Sequence, residues 1–292
     1  MLFGATAASI FFAGGATLEL TDRGLSFGPF FPGAGLTLMF GILAIVTAHE
    51  LGHYFACRIH GVDATLPFFL PLPIPGGFGT LGAVIRIRSA FPNRQALFDI
   101  GIAGPLAGFL VSVPVLVLAG LEARAIYPLP GAGGTYFGDP LLLQWVLGSM
   151  LGPLRADAVV AIGPMGMAAW FGLFLTALNL LPIGQLDGGH IVYALTPRWA
   201  ALVSRFGWWV CVGLIYFGPN WLVWAVLLRF LGRRHPPTLD DTKSLGRGRN
   251  LLALIAVAVF VMCFVPNPLV GSWSAIYAGL REMIPALPAL GS

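Results

Sequence analysis

The sequence predicts an all-α polytopic membrane protein with about six transmembrane helices and one re-entrant or β-hairpin element. Three observations carry that expectation. Apolar residues make up 57% of the chain and charged residues only 10%, with a mean hydropathy of +0.85. A soluble domain carries about 25% charged residues, and a water-facing surface of this size needs more charge than the chain owns. Several separate apolar runs approach or exceed the roughly 20 residues needed to cross a bilayer. One Pro/Gly-rich stretch among them ends in a β-branched run with period-two character. The same composition excludes a disordered chain, a disulfide scaffold and a nucleic-acid binder. The formal charge of +4, from 16 Lys+Arg against 12 Asp+Glu, is a thin basic excess of the kind found in membrane-protein loops. The three cysteines, Cys57, Cys211 and Cys263, lie in or beside apolar runs without a CxxC pair and read as buried thiols. Met1 runs into apolar sequence without a basic region, so no cleavable signal peptide is expected and the first spans direct insertion.

Residues 2–16 are short for a span and read as a partial first span or an interfacial piece. Residues 34–58 are long enough. The stretch 65–90 is punctuated by Pro and Gly and then runs through Ala83–Arg88, read as a strand after a Gly-rich turn. A lone strand among helices leaves its backbone unpaired, so it must fold back as a hairpin or receive a partner. Residues 99–120 form the next helix, with Asp99 as its candidate N-cap and Pro105 and Pro114 inside. The connection 121–162 is rich in Gly and Pro, carries a short amphipathic helix at Leu141–Leu151, and is too small for an appended globular domain. Residues 163–182 end at Pro182. The apolar stretch 202–231 is broken at Gly218-Pro219-Asn220, residues 251–265 follow, and 269–290 make a weaker terminal segment. The chain reads as one domain over 1–292, with a core at about 34–195 and C-terminal membrane segments from about 200 to 292.

Basic residues give an orientation. Arg229, Arg233, Arg234, Lys243, Arg247 and Arg249 mark one cytoplasmic loop, and Arg58, Arg86, Arg88 and Arg94 mark another. A single span over 202–231 would put these loops on opposite sides of the membrane. The break at Gly218-Pro219-Asn220 puts both inside.

The chemistry centres on His49-Glu50-Leu51-Gly52-His53, within an apolar helix. Positions i and i+4 share a helical face, so His49 and His53 can present two imidazoles to one Zn²⁺. Glu50 sits beside them, where it can take a proton from an activated water. Two histidines and a glutamate are expensive in hydrocarbon and must face a protein interior or a wet cavity, which favours a metal site over a chance match. A catalytic zinc takes a third protein ligand. Asp187, in the Gly-rich turn after the 163–182 helix, is the candidate; its alternative reading is a turn residue before Gly188-Gly189. Asn179 reads either as an oxyanion donor or as an interhelical hydrogen-bonding residue. His190 reads as a partner to Asp187 or, in preference, a water-facing loop histidine; His60 and His235 read as loop residues.

The HELGH helix, then Gly101-Ile-Ala-Gly104-Pro105-Leu-Ala-Gly108, then Asn179-Leu-Leu-Pro182 with Leu186-Asp187-Gly188, resembles the site-2 protease family of intramembrane zinc metalloproteases. The match in order and spacing covers about residues 34–195. The tail, with Trp221 and Arg234-His235-Pro236-Pro237, is similar to the compact bacterial and chloroplast branch that lacks PDZ or CBS regulatory domains. The resemblance implies His49, His53 and Asp187 as ligands of one zinc ion, Glu50 as general base and Asn179 as an active-site support. It further implies peptide-bond hydrolysis within or next to a substrate's transmembrane helix, in single-span membrane proteins within a lipid bilayer, at a site nearer the cytoplasmic side of a cell (inner) membrane. A helical substrate must unwind first. Val84, Ile85, Arg86, Ile87 and Arg88 are the candidate strand edge that holds it extended. The rivals are a catalytically inactive zinc-binding protein that holds membrane clients, disfavoured by Glu50, and a metal transporter, disfavoured because the ionisable membrane residues converge on one site.

Overall fold

The computed structural model describes residues 1–16, 18–21, 24–74, 77–126, 136–155, 158–231 and 237–270. In chain order these form α1 (Leu2–Gly15), a hairpin of β1 (Leu18–Thr21) and β2 (Gly24–Phe27), then α2 (Pro32–Ile59). β3 (Phe68–Pro71) and β4 (Thr80–Val84) make a second hairpin, followed by α3 (Arg94–Glu122). Next come β5 (Arg124–Ile126), β6 (Tyr136–Phe137), α4 (Leu141–Leu151), β7 (Val159–Ala161), α5 (Pro164–Asn179) and α6 (Asp187–Leu195). α7 (Pro197–Leu214), α8 (Asn220–Leu231), α9 (Arg247–Cys263) and β8 (Leu269–Val270) complete the described chain. Helix dominates, yet the β content exceeds the single expected hairpin: four two-stranded sheets occur among the described residues. Two of them, β5 with β7 and β6 with β8, tie the 121–162 connection together and to the C-terminal end of α9.

α2, α5 and α7 each start on a proline in their first turn, where a missing N–H costs nothing and the fixed φ is already helical. α3 starts earlier than Asp99. Asn93 caps it, its side-chain oxygen accepting the Ala96 N–H at 2.9 Å, and the helix runs from Arg94. Asp99 lies one turn inside, where its carboxylate accepts both arms of Arg249 at 2.7 Å and faces His60 Nε2 at 3.0 Å. His60, at the C-cap of α2, is therefore held in a contact that ties α9 to α3 and α2. The chain does break in the middle of 202–231, between α7 and α8. His235, Arg233, Arg234 and the segment 271–290 lie outside the described residues.

Among the described residues, α2 and α3 are the two helices long and apolar enough to cross a membrane, and α1, α4 and α8 are shorter apolar helices. α3 is the hub, packed against α2, α5, α6, α4 and α9. The α2–α3 approach is close because Gly52 of the HELGH segment meets α3 where a Cβ would lie 2.5 Å from the Ala103 carbonyl oxygen. Phe98, Leu97, Leu116, Leu38, Ile42, Ile45 and Leu173 are fully buried between these helices. The β3–β4 hairpin lies on α1, with Phe78 stacked on Trp170 of α5 at 5.7 Å. All three cysteines are buried and free.

The strand is displaced from its expected position. β4 ends at Val84, and residues 85–88 continue as an irregular edge beside 63–65 through the Ala64–Ile87 bridge. Regular pairing ends at the Phe68–Val84 pair, next to Pro67, and further on the Thr65 hydroxyl replaces a backbone partner for the Arg86 N–H at 3.0 Å.

Because Asn93 supplies the cap of the hub helix, Asn93→Ala should lower stability by about 0.5–2 kcal/mol while Asn93→Asp stays close to the parent. Thermal unfolding in detergent micelles measures the difference.

Candidate metal centre

His49 and His53 lie one turn apart near the C-terminal end of α2, and their side chains face α3 and the turn between α5 and α6. That turn is tight. Pro182 prevents α5 from continuing, Gly184 takes a positive φ of +53°, and Gly188 packs where a side chain would overlap the Leu180 carbonyl. The outcome is that Asp187, the first residue of α6, points back at the histidines. Its Oδ2 lies 3.3 Å from His49 Nε2 and 3.3 Å from His53 Nε2, and the two Nε2 atoms are 3.1 Å apart.

These three atoms fit a zinc ion. Ligand bonds of about 2.0–2.1 Å at tetrahedral angles place neighbouring donors about 3.3 Å apart, and a fourth vertex stays open. His53 Nδ1 lies 2.7 Å from the Ile100 carbonyl oxygen, so Nδ1 carries the proton and the Nε2 lone pair faces the centre. A carboxylate oxygen and a bare imidazole nitrogen converge beside His49 in a pocket where His49 is 3% and His53 7% exposed. A cation is what that cluster of acceptors calls for. Among the described residues His49, His53 and Asp187 are the group of metal-capable side chains that come together in this way.

Two further side chains sit at this centre. Glu50 is buried on α2, next to His49 in sequence. Asn179, the last residue of α5, has Nδ2 3.2 Å from His49 Nε2. Of the expected substrate strand, Ile85 and Ile87 pack their side chains with Cys57, Val62 and Ile100 beside the centre. Arg86 and Arg88 instead turn their N–H groups inward, to Thr65 and to the Asp63 carbonyl, and their side chains outward. Val84 is exposed at the end of β4. His190 is not a loop histidine: it lies on α6, half-buried, with its ring 5.7 Å from that of Phe91.

Sequence reasoning gave no role to the glycines of α3, and they shape the site. Gly101, Gly104 and Gly108 recur at helical spacing, so they share one face. A Cβ at Gly104 would overlap the His53 ring, one at Gly108 would lie 3.2 Å from His49, and one at Gly101 would lie 2.9 Å from His190 Cβ. The signal was present in the sequence as a small-residue repeat in an apolar helix, the usual mark of close helix approach in membranes.

The model of peptidase family M50 matches residues 37–207, which include every residue of this centre. This chain belongs to peptidase family M50. The family is membrane-embedded, in keeping with the two candidate spans. The chain is similar to "Probable zinc metalloprotease EGY1, chloroplastic" of Arabidopsis thaliana, 34% identical over 242 residues, covering 81% of this chain and 44% of that protein. It is also 34% identical over 241 residues to the protein of the same name in Oryza sativa subsp. japonica, covering 80% of this chain and 41% of that one. "Probable zinc metalloprotease EGY2, chloroplastic" of Arabidopsis thaliana is 31% identical over 264 residues, 86% of this chain and 44% of that protein. The chain thus spans less than half the length of these curated relatives.

The M50 glycines give a test that leaves every metal-capable side chain in place. Gly104→Ala should displace the His53 ring and lower bound zinc per chain measured by inductively coupled plasma mass spectrometry. Gly108→Ala, with a looser contact, should lower it less. Equal, undiminished zinc in both would show that the rings reach the metal without this packing.

Proposed function

We infer that this chain is an intramembrane zinc metalloendopeptidase that holds one zinc ion and cleaves peptide bonds within or next to transmembrane segments of single-span membrane proteins. The observation that carries the reading is the buried convergence of His49, His53 and Asp187 with Glu50 beside them, inside helices too apolar for any other reason to hold four ionisable groups. About six membrane passes, a cell (inner) membrane location and a site nearer the cytoplasmic side follow from the apolar runs and the placement of arginine.

The chemistry a zinc ion supplies when bound at these ligands is a water acidified to near neutral pKa and a polarised carbonyl. Glu50 accepts the proton of the attacking water and delivers it to the leaving amine. Asn179 donates Nδ2–H to the oxyanion that develops on the scissile carbonyl. His49, Glu50 and His53 are largely buried, and the low-dielectric surroundings strengthen both contributions. The hairpin supplies the extended template. Residues 64 and 87 form a non-hydrogen-bonded antiparallel pair, so the N–H and C=O of Ile87 point away from the hairpin, as do those of Ile85 by alternation. An unwound substrate segment adds to this edge as a strand.

A zinc-binding client-holding protein needs the same ligands but no base. Glu50→Gln separates the two: it should retain zinc and slow cleavage of a reporter transmembrane substrate by about 10²–10⁴. Asn179→Ala should also retain zinc and slow cleavage by about 10²–10³. Unchanged cleavage by the Glu50→Gln variant would return the holding role to first place. The hairpin edge has its own test. Ile87→Pro removes an outward N–H and should abolish cleavage with zinc content unchanged, whereas Ile87→Val should be nearly silent. Full activity of Ile87→Pro would leave capture to helix packing alone.

A further inference from the structure

Behind the turn that carries Asp187 lies a cavity of 780 Å³ that none of the metal-centre residues lines. Its walls are α6, α7, α8 and the turn residues Pro182–Gly184. Trp208 Nε1–H donates to the Ala225 carbonyl at 2.8 Å and pins α7 to α8. Ser204 Oγ accepts the Gly184 N–H at 2.8 Å and pins α7 to the turn. The cavity is therefore a feature held by hydrogen bonds on two sides.

Two arginines line it, Arg205 from α7 and Arg229 from the last turn of α8, and no Asp or Glu does. Neither guanidinium has an ion-pair or hydrogen-bond partner among the described residues. Two unpaired guanidinium groups on one cavity are an electrostatic surplus that a phosphate oxyanion neutralises with charge-assisted, fork-shaped hydrogen bonds. Trp209, which lines the cavity beside these arginines, is 59% exposed, and Phe206 of α7 and Phe230 of α8 are exposed next to Arg205 and Arg229 in sequence. Tryptophan and arginine side by side at the edge of an apolar helix pair is the composition of a membrane–water interface, where indoles sit at headgroup depth and long basic side chains reach outward.

We propose that this cavity binds an anionic phospholipid, its phosphate between Arg205 and Arg229 and its acyl chains against Trp209 and the exposed apolar faces of α7 and α8. The phosphate chemistry alone would also suit a free anion. Trp209 and the exposed apolar residues of α7 and α8 decide for the lipid, because a soluble anion gains nothing from them. The bound lipid braces α7 against the Gly184 end of the turn and so steadies Asp187; that consequence rests on the metal-centre reading, while binding itself does not.

Native mass spectrometry of the detergent-purified full chain, titrated with dioleoylphosphatidylglycerol or dioleoylphosphatidylcholine, tests the site. The phosphatidylglycerol adduct should be the stronger. It should weaken by about tenfold or more in Arg205→Gln/Arg229→Gln, and by less in Arg205→Lys/Arg229→Lys, which retains both charges but loses the forks. Thermal unfolding equal to the parent certifies that the variants fold. Equal adducts with the two lipids, or an undiminished phosphatidylglycerol adduct in the glutamine variant, would overturn the proposal. Displacement of the lipid by millimolar inorganic phosphate would overturn the lipid assignment and leave a free-anion site. The release rate of zinc to a chelator, slower with phosphatidylglycerol bound in the parent but not in the glutamine variant, reads the bracing; rates independent of the lipid would overturn that part alone.

Discussion

Three electron-pair donors aimed at one point inside an apolar helix bundle set the terms for the rest of this structure. Two imidazoles and a carboxylate within about 3.3 Å of one another repel through their lone pairs unless a cation sits among them. The apolar side chains around them offer no donor, and the Asn179 amide, 3.2 Å from His49 Nε2, reaches one of the three. The chain must therefore hold the donors together by packing, and the close contacts at Gly104, Gly108 and the Ile100 carbonyl serve that end.

The restraint comes from both sides. On α3 the glycine face lets the helix backbone approach the rings, so that His53 is wedged against Gly104 and hydrogen-bonded to the Ile100 carbonyl. On the Asp187 side, α6 is a short helix of nine residues that would be marginal alone, and it is clamped at its far end. Arg94 donates to the carbonyls of Ala194 and Leu195, satisfying acceptors that the end of α6 leaves open, and to that of Asp241. Tyr193 donates to the Asp241 carboxylate, which also accepts from Thr238. A loop far along the chain thus fixes the helix whose first residue, Asp187, completes the candidate centre. Here local sequence at Asp187 determines the turn, and tertiary contacts at residues 94 and 241 determine its orientation.

Much of this was legible in the sequence, and the part that was not has a common cause. The HELGH pair was readable because i and i+4 meet on any helix, whatever surrounds it. The short helix at Leu141–Leu151 and the break before Asn220 were readable because Pro and Gly act on their own neighbours. Three features depended on distant partners and were misread. Asp99 looks like a cap in one dimension, but Asn93 is the better-placed acceptor and Asp99 is taken by Arg249, 150 residues away. His190 looked like a loop residue because Phe91 cannot be seen beside it in the sequence, whereas His60 does lie in the turn after α2. The strand was placed too late because period-two alternation persists through Arg88 after regular pairing stops at Val84, and Thr65 replaces a ladder acceptor with its hydroxyl.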